Sequence, residues 1–367
     1  MQPPRTPNLQ PPYTAVLIVP TGIGAAIGGY AGDALPVARA MAGTCDRVIT
    51  HPNVLNGAQL YWPLPNLLYV EGYGLDRFAA GDWGLQPVRQ NRIGLVLDRA
   101  IEADLQLRHL QAADAARATL GLEVVDWTLT DRPLGVELRQ AASGASWGTL
   151  AEPGSLLRAA ETLRDTAGAE AIAVVARFPD EAPDDPSLQQ YRHGCGVDPI
   201  AGAEAVISHL VVRQLRLPCA HAPALSPLPV DAAVSPRAAA EELGYTFLPC
   251  VLAGLARAPQ FVTAKDARVA TSETLWARDV NALVIPETAC GGSAMLSLSQ
   301  TKAKIITVAE NTTQLQVPPT ALNLPVWPAR SYAEALGLLA ADRAGVALEA
   351  LRPQISSLQH RGRRRSR

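Results

Sequence analysis

Aromatic residues make up only 5% of this chain and charged residues only 18%, against roughly 25% charged in an ordinary soluble domain. The few aromatics do not interleave with basic runs, which removes the stacking platforms that hold single-stranded nucleic acid. Lysine is scarcer still. Lys265, Lys302 and Lys304 are the whole set, so 29 of the 32 basic residues are arginine. No apolar run approaches the ~18–20 residues needed to span a bilayer. Residues 1–12 are proline-rich and polar, without the basic start and apolar stretch of a secretory signal. Five cysteines, an odd number in a chain of this length, do not read as a disulfide framework. A reducing cytoplasm is the expected compartment. The spacings G-x-x-x-x-G-K-[ST], G-x-S-x-G and H-E-x-x-H are all missing, which argues against a P-loop NTPase, a typical α/β-hydrolase and a zincin protease.

What the chain has is apolar bulk. Hydrophobic residues reach 48% of 367, enough to bury a large core and to exclude disorder of the body. The length fits one large α/β domain or two intimately connected ones. The net charge of −2 hides an asymmetry. Five arginines crowd the last seven positions, leaving the body with 27 basic residues against 34 acidic ones. Residues 1–13 and 359–367 read as disordered ends. The arginine tail is a solvated terminus first and a weak tether for nucleic acid or an acidic partner second.

Between the ends, short apolar runs alternate with helical patterns. Val16–Val19, Arg47–Thr50, Leu67–Val70, Ile93–Leu97, Glu123–Leu129 and 171–177 read as strands. Helices are expected from Asp33, as N-cap, to Met41, and over 100–119, 153–167 and 199–215. This alternation predicts an α/β fold, a mainly parallel sheet covered by helices in Rossmann-like layers. One β-hairpin insertion breaks it, with arms around Ser143-Gly144. The parts divide as 14–130, 131–280 with the hairpin at 136–150, and 281–358. The last part echoes the first. Leu17-Ile18-Val19-Pro20 is matched by Leu283-Val284-Ile285-Pro286, Val48-Ile49-Thr50 by Ile306-Thr307-Val308, Gln59-Leu60 by Gln314-Leu315, and Asn66–Val70 by Asn323–Trp327. Pseudo-duplicated halves with a site between their loop edges would follow.

Three runs carry a resemblance: Val19-Pro20-Thr21-Gly22-Ile23-Gly24-Ala25-Ala26-Ile27-Gly28-Gly29-Tyr30-Ala31-Gly32-Asp33, Gly196-Val197-Asp198-Pro199-Ile200-Ala201-Gly202-Ala203-Glu204-Ala205-Val206-Ile207-Ser208-His209, and Thr288-Ala289-Cys290-Gly291-Gly292. The chain resembles an uncharacterised conserved protein family of cyanobacteria and algae, over most of residues 15–345. The resemblance implies a cytoplasmic or plastid-stromal setting and supplies no catalytic residues.

Candidate sites therefore come from chemistry. The loop after the first strand holds Thr21, Gly22, Gly24, Gly28 and Gly29, whose backbone N–H groups could cradle an anion. It departs from the dinucleotide fingerprint, and His51 stands where a ribose-binding acid belongs. No cofactor is assigned. Cys290 precedes a helix and is the thiol candidate, with Gly291, Gly292 and Ser293 offering backbone donors and a hydroxyl. His193-Gly194-Cys195 and Cys219-Ala220-His221 fall at the same sheet edge. His221 or His193 near Asp198 would serve as general acid or base. A zinc site of His193, Cys195, Cys219 and His221 is the metal alternative, on spacings that are not standard. His51, Asn53 and Asn311 end strands at the working edge and join the ligand-binding set. His209, mid-helix among apolar residues, reads as a core histidine, and Tyr191 and Arg192 as part of a lid.

The expectation is an enzyme acting on a small anionic metabolite at the carboxyl edge of the sheet, a hydrolase or an isomerase. The alternatives are a non-catalytic ligand-binding or regulatory protein and a zinc-stabilised one. No membrane partner is expected, nucleic acid is disfavoured, and a homo-oligomer is allowed.

Overall fold

Apolar periodicity of two and of about 3.6 residues resolves into the following order: β1 (Thr14–Leu17), α1 (Leu35–Thr44), β2 (Arg47–Thr50), α2 (Pro52–Leu55), β3 (Leu67–Tyr69), α3 (Gly72–Ala79), β4 (Gly84–Gln86), β5 (Ile93–Leu97), α4 (Ala103–Leu120), β6 (Val124–Leu129), β7 (Val136–Gln140), β8 (Ser146–Leu150), α5 (Pro153–Ala167), β9 (Ala171–Arg177), α6 (Pro186–Arg192), α7 (Ala201–Leu215), β10 (Cys219–Ala224), α8 (Pro236–Glu242), α9 (Phe247–Ala256), β11 (Gln260–Val262), β12 (Val280–Pro286), α10 (Ser293–Ser299), β13 (Lys304–Val308), β14 (Trp327–Ala329) and α11 (Tyr332–Arg343). This computed structural model describes residues 11–56, 64–180, 184–226, 228–242, 247–266 and 271–358. The arginine tail, residues 1–10 and the Gln59-Leu60 echo lie outside the described residues. Tyr13, expected at the end of a disordered arm, is instead buried. Its N–H donates to Asp46 and its hydroxyl to Asp342, both at 2.8 Å.

Two parallel sheets form the frame. One has the order β14-β13-β12-β1-β2-β3 and the other β10-β9-β5-β6. Numbered within itself, the first is a doubly wound sheet of order 3-2-1-4-5-6, whose switch point lies between β1 and β12. The echoed strands stand symmetrically about that point. A two-fold axis there exchanges the faces of the sheet, and Leu17 and Leu283, matched in the echo, do face opposite core layers. The expected hairpin is present as antiparallel β7 and β8. Strand pairing crosses the expected boundaries at 130 and 280. The first sheet draws on both ends of the chain, and β5 pairs with β9 across residue 130.

The core is two apolar layers, one on each face, and both sheets contribute to both. One layer joins Leu17, Val48, Leu95 and Val284 to α1, α4, α9 and α11. The other joins Val16, Ile49, Val174 and Leu283 to α3, α5, α7 and α10. Helices α7 and α9 join the sheets along a seam between the edge strands β3 and β10. On one side of this seam α7 rests on β10 and reaches Glu71 just beyond β3. On the other, α9 rests on β10 while its Gly254 lies flat against the Tyr69 ring of β3.

The hairpin grips α7 backbone to backbone. A Cβ at Gly202 would stand 2.2 Å from the Ser146 carbonyl oxygen and 2.4 Å from Trp147 Cα, and one at Gly148 would stand 2.4 Å from Ala203 Cβ. Only glycine permits this approach.

Candidate functional site

A cavity of about 360 Å³ opens at the carboxyl ends of β1, β2, β3, β10 and β12, with α7 along one wall. It starts beside the switch point and runs across the seam. Its charged and titratable lining is Glu71, Asp76, Asp198, Glu204 and Glu241 with His51, His209 and His221. No lysine or arginine lines it among the described residues.

One wall pairs an acid with a base. β10 turns His221 to the face that also carries Cys219. On α7, Glu204 and Ser208 lie one turn apart and share a face. Ser208 Oγ is 3.1 Å from His221 Nδ1 and donates at 3.4 Å to the Ala205 carbonyl. In the tautomer protonated on Nδ1 the ring donates to Oγ, and Nε2, 3.8 Å from Glu204 Oε2, is the accepting nitrogen. Burial, reinforced by the Glu241 charge, pushes Glu204 up to about 8. Burial, reinforced by the charge on His209, pushes His221 down to about 3. At neutral pH the pair is therefore a carboxylic acid beside an uncharged imidazole.

A second pair joins α3 to α7. Glu71 caps α3, accepting from the N–H groups of Tyr73 at 2.8 Å and Gly74 at 3.3 Å through Oε2. Its Oε1 meets His209 Nδ1. Burial opposes charge on His209, but the bond to Glu71 and the charges of Glu71 and Asp76 outweigh it and raise the ring's pKa. Asp76 accepts from Ala294 N–H at 2.9 Å, and burial raises its carboxyl. Beyond β1, the Val19 N–H donates to His51 Nε2 at 3.0 Å, and burial holds His51 down at about 4. Asp198 accepts from Ile200 N–H at 2.9 Å at the start of α7.

A small cover borders the cavity. α8 contributes Glu241, which accepts from Ala31 N–H at 2.6 Å and Tyr191 hydroxyl at 2.9 Å, and whose carboxyl is raised by burial. Tyr191 stacks on Tyr30 with ring centroids 4.5 Å apart. The buried Arg192 on α6 pairs with Glu242 at 2.8 Å, and Arg237 on α8 with Asp33 at 2.9 Å.

Against this geometry stand the similarities to known proteins. The family model described as a protein of unknown function, DUF3326, matches residues 14–352. The chain belongs to the DUF3326 family. A Synechococcus protein named an uncharacterized lipoprotein is 60% identical over 350 residues, covering 95% of this chain and 96% of the relative. No solved structure matches. The relative's name overturns the cytoplasmic location expected above. That expectation rested on the make-up of residues 1–12 and on cysteine count, neither of which reports on a lipid anchor.

This DUF3326 chain gathers some expected site residues and scatters others. His221, Asp198, His51, Asn53, Thr21, Gly292 and Ser293 line the cavity. Gly22, Gly24, Gly28 and Gly29 do not, because the chain itself fills the space beside them. A Cβ there would meet Ser146 Oγ at 2.7 Å, the Gly196 carbonyl at 2.8 Å, Val19 Cγ1 at 2.6 Å and the Ala25 carbonyl at 2.3 Å, respectively. Three of the loop's donors are also taken. Ala26 N–H goes to Thr312, Ile27 N–H to Asn311 Oδ1 and Gly28 N–H to Asp33 Oδ1. Asn311 thus ties the β1 loop to the β13 loop instead of meeting a ligand. Asp33 serves this loop and Arg237, and α1 begins without a side-chain cap.

Cys290 lies outside the lining. Its Sγ is 3.4 Å from the Glu287 carbonyl, and burial pushes the thiol up to about 11, so no thiolate forms near neutral pH. Gly291 packs against Val317. His193 is exposed and pairs with Asp231 at 2.9 Å, away from the cavity. The zinc set is likewise divided: His193 and Cys195 sit at the surface while Cys219 lies in the apolar core. Among the described residues no three His, Cys, Asp or Glu side chains are placed to hold a metal ion.

Glu71, Asp76, Glu204, His209 and Glu241 complete the cavity without having been singled out for it. Two signals point to them. Glu204 and His209 stand among apolar residues on α7, and Glu71 directly follows a strand at the carboxyl edge.

Proposed function

We propose that this chain is an enzyme that moves a proton on a small molecule bound in the cavity, with His221 as the base and Glu204 as the acid. The observation that carries this is their pairing. Two titratable groups, each less than a fifth exposed and 3.8 Å apart, are both held neutral, a proton donor beside a proton acceptor.

Between the two reaction classes expected, this favours isomerisation over hydrolysis. Ser208 lies on the Nδ1 side of the ring and is only 2% exposed. A protonated Glu204 does not stabilise the imidazolium that a serine nucleophile would create. The lining also changes the expected ligand. With no lysine or arginine beside it among the described residues and five carboxyl groups around it, the cavity favours a neutral or cationic molecule over an anionic metabolite.

The test is imidazole nitrogen NMR on the full chain. His221 is expected to stay neutral with Nδ1 protonated from pH 7 down to about pH 4. Titration near the ordinary histidine value of about 6.5 would remove the base from its role. Screening small neutral carbon acids and amines in deuterated water, for deuterium uptake lost in His221→Ala, then identifies the substrate.

A further inference from the structure

We infer that His51 is the group that polarises the substrate's oxygen, so that the ligand class is an uncharged ketone or aldehyde, enolised between His51 and His221. The inference rests on the proton-transfer reading above and adds to it an electrophile and a substrate class.

The geometry of His51 is decided by its backbone partner. A main-chain N–H can only donate, and that of Val19 points at His51 Nε2 from 3.0 Å. Nε2 is therefore the bare nitrogen, and the ring proton is on Nδ1. His51 is nine-tenths buried and lines the cavity. The backbone thus holds an imidazole in one tautomer, with its single donor, Nδ1–H, on the nitrogen that Val19 does not engage. An oxygen of a ligand in the cavity is an acceptor for that donor. A ring nitrogen that donates without being charged suits an oxygen that becomes an enolate. It stabilises developing negative charge without giving up its proton first.

The step balances without any further reactant. The C–H bond next to the carbonyl breaks, and its proton goes to His221 Nε2. The bonding pair forms the carbon–carbon double bond. The carbonyl π pair moves onto oxygen, which accepts from His51 Nδ1–H. Return of a proton from His221 restores the carbonyl compound, and nothing is oxidised or reduced.

The probe is hydroxyacetone, a small uncharged ketone, incubated in deuterated water with the full chain and followed by proton NMR. Wild type is expected to accelerate deuterium uptake beside the carbonyl above the buffer rate, and His51→Ala to lower that acceleration at least about a hundredfold, as for loss of an oxyanion donor. His51→Asn, which keeps an amide donor, should recover part of it. Carbonyl-labelled [2-13C]hydroxyacetone bound to wild type should show a downfield carbonyl shift, a readout that needs no variant to fold. Uptake in His51→Ala equal to wild type, with His221→Ala inactive, overturns the role of His51 and leaves the proton-transfer reading standing. No uptake by wild type, an unshifted bound carbonyl, or a His51 ring protonated on Nε2 overturns the inference outright.

Discussion

Glu204 makes the chain's stability depend on pH in an unusual direction. Its carboxyl is raised in the fold to about 8, above the roughly 4.3 of an exposed glutamate. The folded state therefore keeps a proton that the unfolded chain releases, and stability falls as pH rises from about 4.3 towards 8. Glu204→Gln removes that loss. Relative to wild type it should gain about 4 kcal/mol between pH 4 and pH 8, read by chemical denaturation at the two values. An identical pH dependence in both proteins would show Glu204 to be ionised. His221 acts oppositely. Its depressed pKa contributes stability above about 6.5 that is lost as pH falls towards 3.

Cysteine behaviour separates position in sequence from position in space. Cys290 follows a strand and precedes a helix, a setting that suggests a reactive thiolate. α10 is capped by Gly292, however, so Cys290 stands before the helix and inside the core. Only Cys195 is exposed; Cys45, Cys219, Cys250 and Cys290 are buried. Brief treatment of the native protein with iodoacetamide should give a single adduct, at Cys195 by peptide mapping. Faster labelling of Cys290 would mean an accessible thiolate there. Edge residues such as His221 and His51 could be singled out from local pattern because strand ends are visible in a sequence. The ionisation of Glu204, influenced by the Glu241 charge 37 positions away, has no local signature.

At the scale of elements, α7 organises the site. It supplies Glu204, Ser208 and His209, and the hairpin β7–β8 fixes where along its axis they sit. Gly202→Ala would drive a Cβ into the backbone of Ser146 and Trp147. Main-chain atoms cannot turn aside as a flexible side chain does, so a loss of about 2–4 kcal/mol is expected, measurable as a lowered thermal midpoint. An unchanged midpoint would show that the hairpin gives way without cost. The helix, the hairpin and most strands could be read from periodicity, since 3.6 and 2 are properties of neighbouring residues. That the hairpin packs on α7 could not, because Gly148 and Gly202 look like ordinary glycines until the chain brings them together.

At the scale of the molecule, both sheets feed both core layers, and this predicts how the chain unfolds. Residues 14–130, taken alone, would expose the edges of β1 against β12 and of β5 against β9. That fragment should show no cooperative thermal transition, while the full chain should melt in one. A folded fragment would make residue 130 a true domain boundary. The α/β alternation was legible because each strand–helix unit is local. The switch point and the seam were not, since strand order depends on pairings hundreds of residues apart. The scarcity of charge also acquires a place: five of the carboxyl groups gather around one cavity that no described lysine or arginine lines.

The grip of the hairpin on α7 has a mechanical consequence. Because the acid and the hydroxyl that orients the base ride on one rigid rod, movement along its axis shifts both together against β10. The distance across the gap to His221 Nε2 is then set from outside, by a clamp on the surface of the molecule. Changes at the hairpin, including any weight hung on its exposed Trp147, would be felt as a change of reach between acid and base, with no cavity residue altered.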